Sequence, residues 1–326
     1  MIKKVTIKDV AHIAGVSVSA VSRVFNNYGD ISEETRKKVY QAAQILDYTP
    51  NNAARQLSSK KKRIIALILN EINVTPGVAM PLEILGGVND YLDKTDYEFV
   101  FYATNSNKQK QKSLKQFCSE RDISGLIIQG LRVTDPYYEE LKNFPLPVVA
   151  IDLLLQNEKV GSVSIDNQAA AAEVTTRLIK AGAQNVLFVN GTKEAIVSQL
   201  REKGYRSATR NPKVIYAEFS EEFAYKMILN YPSLESVDAI FAASDLMAIG
   251  IIKALRERNI NKKIAIVGFD DITLASYITP TLTTVRQDIK KISQEAAKDL
   301  LLQIEHGEIK KHTVPYAIIV RESADI

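Results

Sequence analysis

The chain has 326 residues, 46% of them apolar and 25% charged, with no tryptophan and one cysteine. That length exceeds one small domain, apolar runs such as 64–69 are far too short to span a membrane, and a single cysteine excludes an internal disulfide framework. The net charge of +4 hides an asymmetry: residues 1–63 hold twelve Lys and Arg against five Asp and Glu, the remainder thirty against thirty-three. A small N-terminal unit at +7 beside a remainder at −3 carries the electrostatic footprint of a nucleic-acid module. Lysines at the N-terminus have no apolar stretch behind them, so no secretory signal is expected, and the lone Cys118 suits a reducing cytoplasm.

The stretch TIKDVAHIAGVSVSAVSRVFN, residues 6–26, reads as two short helices joined by a tight turn. Thr6 is a helix-capping residue, and Asp9 suits the positive end of the helix dipole. Val10, Ile13 and Ala14 recur at the spacing of one buried helical face. Gly15 stands where a helix ends, since glycine takes positive φ without a steric penalty. Ser17 is placed to cap the second helix, along which Ala20, Val21, Val24 and Phe25 turn inward. That leaves Val18, Ser19, Ser22 and Arg23 on the open side. Short polar residues and one arginine on an exposed helix fit the major groove of DNA. A third helix begins after Ser32 and runs to about Asp47, Tyr48-Thr49-Pro50 breaks it, and 51–59 suits one short helix that is marginal alone.

From Arg63 the pattern becomes strand, helix, strand, helix. Apolar runs at 64–69, 99–103, 125–129 and 148–152 form one series of predicted strands. A second series lies at 163–166, 186–190, 214–217, 239–243 and 264–269. Helical stretches at 82–92, 168–181, 249–258 and 289–304 fall between and after them. Such alternation predicts mainly parallel sheets covered on both faces, in two similar lobes. Ligands of open α/β sheets bind beyond the carboxyl ends of the strands, where Asn70, Gln129, Asp152, Asn190, Ser244 and Asp270 stand.

Catalytic signatures are missing. Gly86-Gly87 lies inside a helix and matches no nucleotide fingerprint, and no serine sits in a nucleophile elbow. His12, His306 and His312 are scattered without metal-ligand neighbours at helical spacing. Cys118 falls in a helical apolar pattern and reads as a packed thiol. Asp270-Asp271 is an acid pair only in name, because neighbours in a loop seldom point into one site. No catalytic residue, metal or cofactor is expected.

Three stretches together resemble the LacI/GalR family of bacterial transcription regulators: 5–26 with SEETRKKV and YTPNNAARQL after it, SDLMAIG at 244–250, and VGFDDITLASYITPTLTTVRQD at 267–288. The resemblance covers essentially the whole chain. It implies an all-α helix-turn-helix headpiece (1–49), a hinge helix and linker (50–62), and a two-lobed α/β core like the periplasmic sugar-binding proteins (63–326). The chain would cross between lobes near Gly161, Asp288 and Val320. Lobe 1 would then be about 63–161 and 289–320, and lobe 2 about 162–288 and 321–326.

Carried over position by position, the resemblance assigns base reading to Val18, Ser19 and Arg23, and backbone contacts to Ser17 and Ser22. Thr6, Asn26 and Asn51 join the DNA-binding set. Ala54 and Leu57 match residues that the family inserts in the minor groove, with Arg55 against the backbone. For the effector, Arg201 and Asp270 match the family's ligand-binding pair, Phe219 the stacking aromatic, and Asn70, Gln129, Asp152 and Ser244 complete the ring. Two departures stand out: the stretch after Tyr205 is short, and Ser244 replaces a frequent asparagine. No leucine heptads follow the core, so a homodimer is expected in place of a tetramer. The implied function is a cytoplasmic repressor that binds a pseudo-palindromic duplex and answers to a small sugar or sugar phosphate, with no enzymatic activity and no membrane. The alternative is control by a phosphocarrier protein, as in the family's catabolite-control branch.

Overall fold

The computed structural model describes residues 5–25, 28–48, 63–72, 80–155, 157–260 and 262–326. The chain divides into two compact units, Met1–Lys62 and Arg63–Ile326. The expected hinge helix, and with it Asn51, Ala54, Arg55 and Leu57, lies outside the described residues, as does Asn26.

In the first unit, α1 (Ile7–Ala14), α2 (Val18–Phe25) and α3 (Glu33–Ile45) surround one small core. Asp9 closes a capping box at the start of α1, its carboxylate accepting from the Thr6 amide at 2.8 Å and the Thr6 hydroxyl at 2.7 Å. Gly15 ends the helix at φ 63°, and the Val16 amide turns back to the Ala11 carbonyl at 3.1 Å. Ser17 accepts from the Ala20 amide at 3.1 Å, and Ser32 accepts from the Thr35 amide at 3.3 Å. These caps satisfy amides that a helix start leaves orphaned. The core holds Val10, Ala11 and Ala14 of α1, Val21 and Val24 of α2, and Val39, Ala42 and Ala43 of α3. Ile13 was expected on this face and is 47% exposed. The stripe that α1 turns inward runs through Ala11 and Ala14, which rotates Ile13 toward solvent.

The second unit carries two six-stranded sheets. Its first half runs β1 (Ile64–Asn70), α4 (Met80–Leu92), β2 (Glu98–Thr104), α5 (Ser106–Gln111), α6 (Leu114–Ser119), β3 (Ile123–Gln129), α7 (Pro136–Leu141), β4 (Val148–Ile151) and β5 (Val160–Ser164). Next come α8 (Asn167–Lys180), β6 (Val186–Asn190), α9 (Ile196–Ala208), β7 (Lys213–Tyr216), α10 (Glu221–Leu229), β8 (Ala239–Ala242), α11 (Asp245–Glu257), β9 (Ala265–Asp270) and β10 (Thr283–Gln287). The chain closes with α12 (Ile289–His306), β11 (Lys311–Thr313) and β12 (Tyr316–Ile319). The strand orders are β11-β5-β4-β3-β1-β2 and β12-β10-β9-β8-β6-β7, and every pairing is parallel except β10 with β12. β4, β6 and β8 are buried along their whole length, as strands between two helical layers must be. A Cβ at Gly87 would lie 2.0 Å from the Ser293 hydroxyl, so a bare backbone there lets α4 lie against α12.

Two of the three expected crossings move. Gly161 is inside β5, where Val160–Val163 stay in register with β4, so the chain leaves the first sheet only after Ser164. The second crossing falls at Asp288, whose carboxylate caps α12 by accepting from the Lys291 amide at 2.9 Å. The third lies between β11 and β12, at Val314-Pro315, and Val320 comes after β12 has already joined the second sheet. Lobe 1 therefore extends to Ser164 and resumes over α12 and β11, and lobe 2 takes β12. β11 is an exposed Lys-His-Thr edge with no apolar alternation, which is why its pairing left no trace in the pattern. No helix among the described residues is long and apolar enough to cross a membrane.

Candidate functional site

Two surfaces collect the residues singled out by sequence. On the first unit, Val18, Ser19 and Arg23 lie exposed on α2, with Ser22 half-buried between them. Val18 is 40% exposed. The Ser17 and Ser19 hydroxyls bond each other at 2.9 Å. Arg23 is held in a way the sequence did not announce: its Nη2 pairs with Asp30 at 2.6 Å, and its guanidinium stands 5.4 Å from the centre of the Tyr28 ring. Thr6 is exposed at the N-terminus of α1, its hydroxyl engaged by Asp9.

On the second unit, a cleft of about 280 Å³ opens between the lobes, at the carboxyl ends of β1, β3 and β4 on one side and β8, β9 and β10 on the other. Arg201 on α9 anchors it. It is 3% exposed, donates from Nε to Asn167 Oδ1 at 2.8 Å and from Nη1 to the Ala243 carbonyl at 2.6 Å, and stacks 3.6 Å above the Phe269 ring. Nη2 has no protein acceptor among the described residues. Asp152 ends β4 on lobe 1, with Ser164 donating to its Oδ1 at 2.6 Å, and Asp270 ends β9 on lobe 2, with Gln287 donating to its Oδ1 at 2.7 Å. Burial pushes Asp270 up to about 7, against the pull of Arg201 and the Gln287 hydrogen bond, and the Asp152 charge adds to the rise. Burial likewise raises Asp152, opposed by Ser164 and Arg201. Burial lowers Arg201, while Asp270, Asp152 and Asp245 hold it up. Behind the cleft, buried Asp245 is pushed well above the carboxylate range by burial and by Asp270, although Thr284 at 2.6 Å and the Ile272 amide at 2.8 Å bond its carboxylate.

Phe219 forms one wall. A Cβ at Gly191 would come within 2.1 Å of this ring, so glycine there is what gives the aromatic its seat. Ile72, Met80, Leu131, Ile196 and Leu246 add apolar surface to a lining that polar and charged side chains share. Five of the ten described non-glycine residues at positive φ line this cleft: Glu71, Asp152, Glu218, Phe219 and Asp270. Strain concentrated in one place points to a working site.

Not every expected residue is free to act there. Asn70 lines the cleft, but its amide donates to the Gly130 carbonyl at 3.1 Å and Asp135 at 2.9 Å and accepts from Gln109 at 2.8 Å. It belongs to a buried polar network in lobe 1 whose members lie 39 and 65 residues away in sequence. Asn190 is fully buried and absent from the lining, its side chain bonded to Ser198, Glu202 and Gly191. Ser244 caps α11 by accepting from the Met247 amide at 3.3 Å. Gln129 lines the cleft with its amide unengaged among the described residues. Glu71, Arg132, Glu218 and Gln287 also line it and were not anticipated. One histidine changes its meaning: folding brings His312 on β11 to Glu295 and Asp299 on α12, with ligand atoms within 4.8 Å of one another. His312 bonds Asp299 at 2.7 Å, and Lys291 and Lys298 pair with Glu295 at 2.9 and 3.1 Å, so the charges there are already balanced by protein.

The family described as "Bacterial regulatory proteins, lacI family" matches residues 6–51, and "Periplasmic binding protein-like domain" matches 175–324. Catabolite control protein A of Priestia megaterium is 30% identical over 332 residues, covering 98% of this chain and 99% of that protein. The ribose operon repressor of Halalkalibacterium halodurans is also 30% identical, over 98% of this chain and 96% of that protein. Among solved structures, the transcriptional regulator CelR–cellobiose complex superposes with a TM-score of 0.73 at 28% identity, over 98% of this chain and 100% of that one. A Lac repressor dimer bound to operator and an anti-inducer superposes at 0.85 with 24% identity, over 98% and 99%, and is similar in fold.

Proposed function

The chain belongs to the lacI family of bacterial regulatory proteins, and we propose that it is a homodimeric, cytoplasmic repressor of carbohydrate-utilisation genes whose hold on DNA is set by a small sugar in the interlobe cleft. It is a sequence-specific DNA-binding transcription regulator without catalytic activity. The observation that carries the sugar reading is the cleft itself: Arg201, Asp152 and Asp270 converge from both lobes beside the Phe219 ring. A guanidinium donates to sugar hydroxyls, carboxylates accept from them, and an aromatic face packs against the C–H side of a pyranose. A relative named as a ribose operon repressor and a similar regulator in complex with cellobiose support the same class.

On the DNA side, Arg23 bonds a guanine edge, Val18 meets a thymine methyl, and Ser19 completes the base-reading set. Ser17, Ser22, Thr6, Asn26 and Asn51 hold the backbone. Leu57, with Ala54, opens the minor groove at the centre of the site, and Arg55 lies against the backbone there. A twofold dimer reads a pseudo-palindrome because half-site symmetry mirrors protein symmetry. A ligand acts only by binding one lobe arrangement better than the other. Selection of duplexes from a random pool by the purified protein tests the reading: a pseudo-palindromic consensus is expected, and recovery of unrelated sequences contradicts it. Control by a phosphocarrier protein is the second reading, favoured by the likeness to catabolite control protein A.

A further inference from the structure

We propose that the cleft selects one uncharged monosaccharide, rich in hydroxyl donors, and rejects phosphorylated and uronic sugars. The inference rests on the reading of the cleft as the effector site.

Charge is the first argument. The ionisable residues lining the cleft are Glu71, Asp152, Glu218 and Asp270 against Arg132 and Arg201. Arg132 and Glu71 cancel each other in an ion pair at 2.7 Å. What remains is three carboxylates facing one guanidinium. Residues 73–79, NVTPGVA, adjoin the lining in sequence and carry no ionisable side chain that could reverse the balance. In a partly dry cleft, an added anion at about 4 Å from a carboxylate costs on the order of 4 kcal/mol, several hundredfold in affinity.

Hydrogen-bonding capacity is the second argument, and it is independent of charge. Arg201 has its Nε hydrogen and one Nη1 hydrogen committed to Asn167 and Ala243, which closes its Nε–Nη2 fork to a phosphate. Donors left on the lining side chains include Arg201 Nη2, the Gln129 amide and the Ser244 hydroxyl. The lining carboxylates supply the acceptors: the second oxygen of Asp152, the second oxygen of Asp270, and Glu218. Phosphate and carboxylate groups of a ligand only accept, whereas every sugar hydroxyl can donate. Carboxylate acceptors therefore call for ligand hydroxyls. Size is the third: about 280 Å³ falls just under the range of about 300–1,000 Å³ usual for drug-sized ligands, which suits one ring.

The test is calorimetric titration of the full-length protein at pH 8 with matched sets: D-ribose and ribose 5-phosphate, D-glucose with glucose 6-phosphate and glucuronate, D-galactose with galactose 1-phosphate and galacturonate. A neutral member is expected to bind, with its phosphate and its uronate at least about a hundredfold weaker. Asp152→Asn should narrow that ratio about tenfold or more by relieving the repulsion, and a folded variant that leaves the ratio unchanged contradicts the assignment. Binding of any phosphate or uronate as tight as its neutral parent overturns the proposal while leaving the effector site standing. Phe219→Ala separates the two ideas: sugar binding that survives it undiminished places the ligand outside the cleft and overturns the effector reading itself. No binding by any of these sugars overturns both.

Discussion

The recognition helix and the cleft each present one arginine, and they hold it in opposite ways. Arg23 is half-exposed and leans on Asp30 and Tyr28 at the surface. Arg201 is 3% exposed, stacked on Phe269 and fixed through two of its nitrogens. Exposed ion pairs contribute about 0–1 kcal/mol, so Asp30 can steady Arg23 and still yield it to a base edge. A buried guanidinium has no such freedom. Arg201 is a fixed charge that sets the field of the cleft and keeps Asp152 and Asp270 tolerable in a protein interior. One arginine is exchangeable and the other is structural, although in sequence they look alike.

Substitutions should separate the two. Arg201→Ala leaves the buried carboxylates without their compensating charge and should cost about 3–5 kcal/mol in urea unfolding; a loss under 1 kcal/mol would mean that the Arg201 charge does not bear on stability. Arg23→Ala should leave unfolding unchanged and remove about 1–3 kcal/mol of preference for the selected duplex over random DNA, read by fluorescence anisotropy. Retained preference would remove Arg23 from base reading.

The acid side of the cleft gives a pH dependence of known sign. Folded Asp270 holds its proton up to about 7, while the unfolded chain releases it near 3.8. The folded state binds more protons over that window, so this residue makes stability fall as pH rises from about 4 to about 7. Asp270→Asn should flatten the thermal midpoint across the window, and an unchanged slope would place the proton elsewhere. The smallest effect belongs to Asp30→Asn. Stability should change by less than about 1 kcal/mol, while binding to random DNA rises a few fold as Arg23 loses its internal partner.

The same contrast governs how much was legible in the sequence. The headpiece reads well because the residues singled out on α2 lie within one turn or two of each other, and their buried neighbours follow helical spacing. Among the described residues there, Ile13 was misplaced, by a small rotation of α1. In the cleft, strand-end position and family resemblance picked out Arg201, Asp152 and Asp270. Neither could reveal that Asn70 is committed to Asp135 and Gln109, that Ser244 caps α11, or that Asn190 faces away. Those partners are tertiary neighbours with no local signature. Gln287 was passed over because β10 was read as part of a motif instead of as a strand ending at the cleft. The first and third crossings were misplaced because β5, β11 and β12 are short strands whose pairing depends on distant residues.

The central claim is that a sugar in the cleft governs DNA binding. The most direct test is the affinity for the selected duplex, titrated with whichever neutral monosaccharide binds, in the parent chain and in Phe219→Ala. The account predicts a change of about tenfold or more in the parent, in the range of ordinary allosteric coupling, and none in the variant. Affinity that ignores every sugar but responds to an added phosphocarrier protein would contradict it.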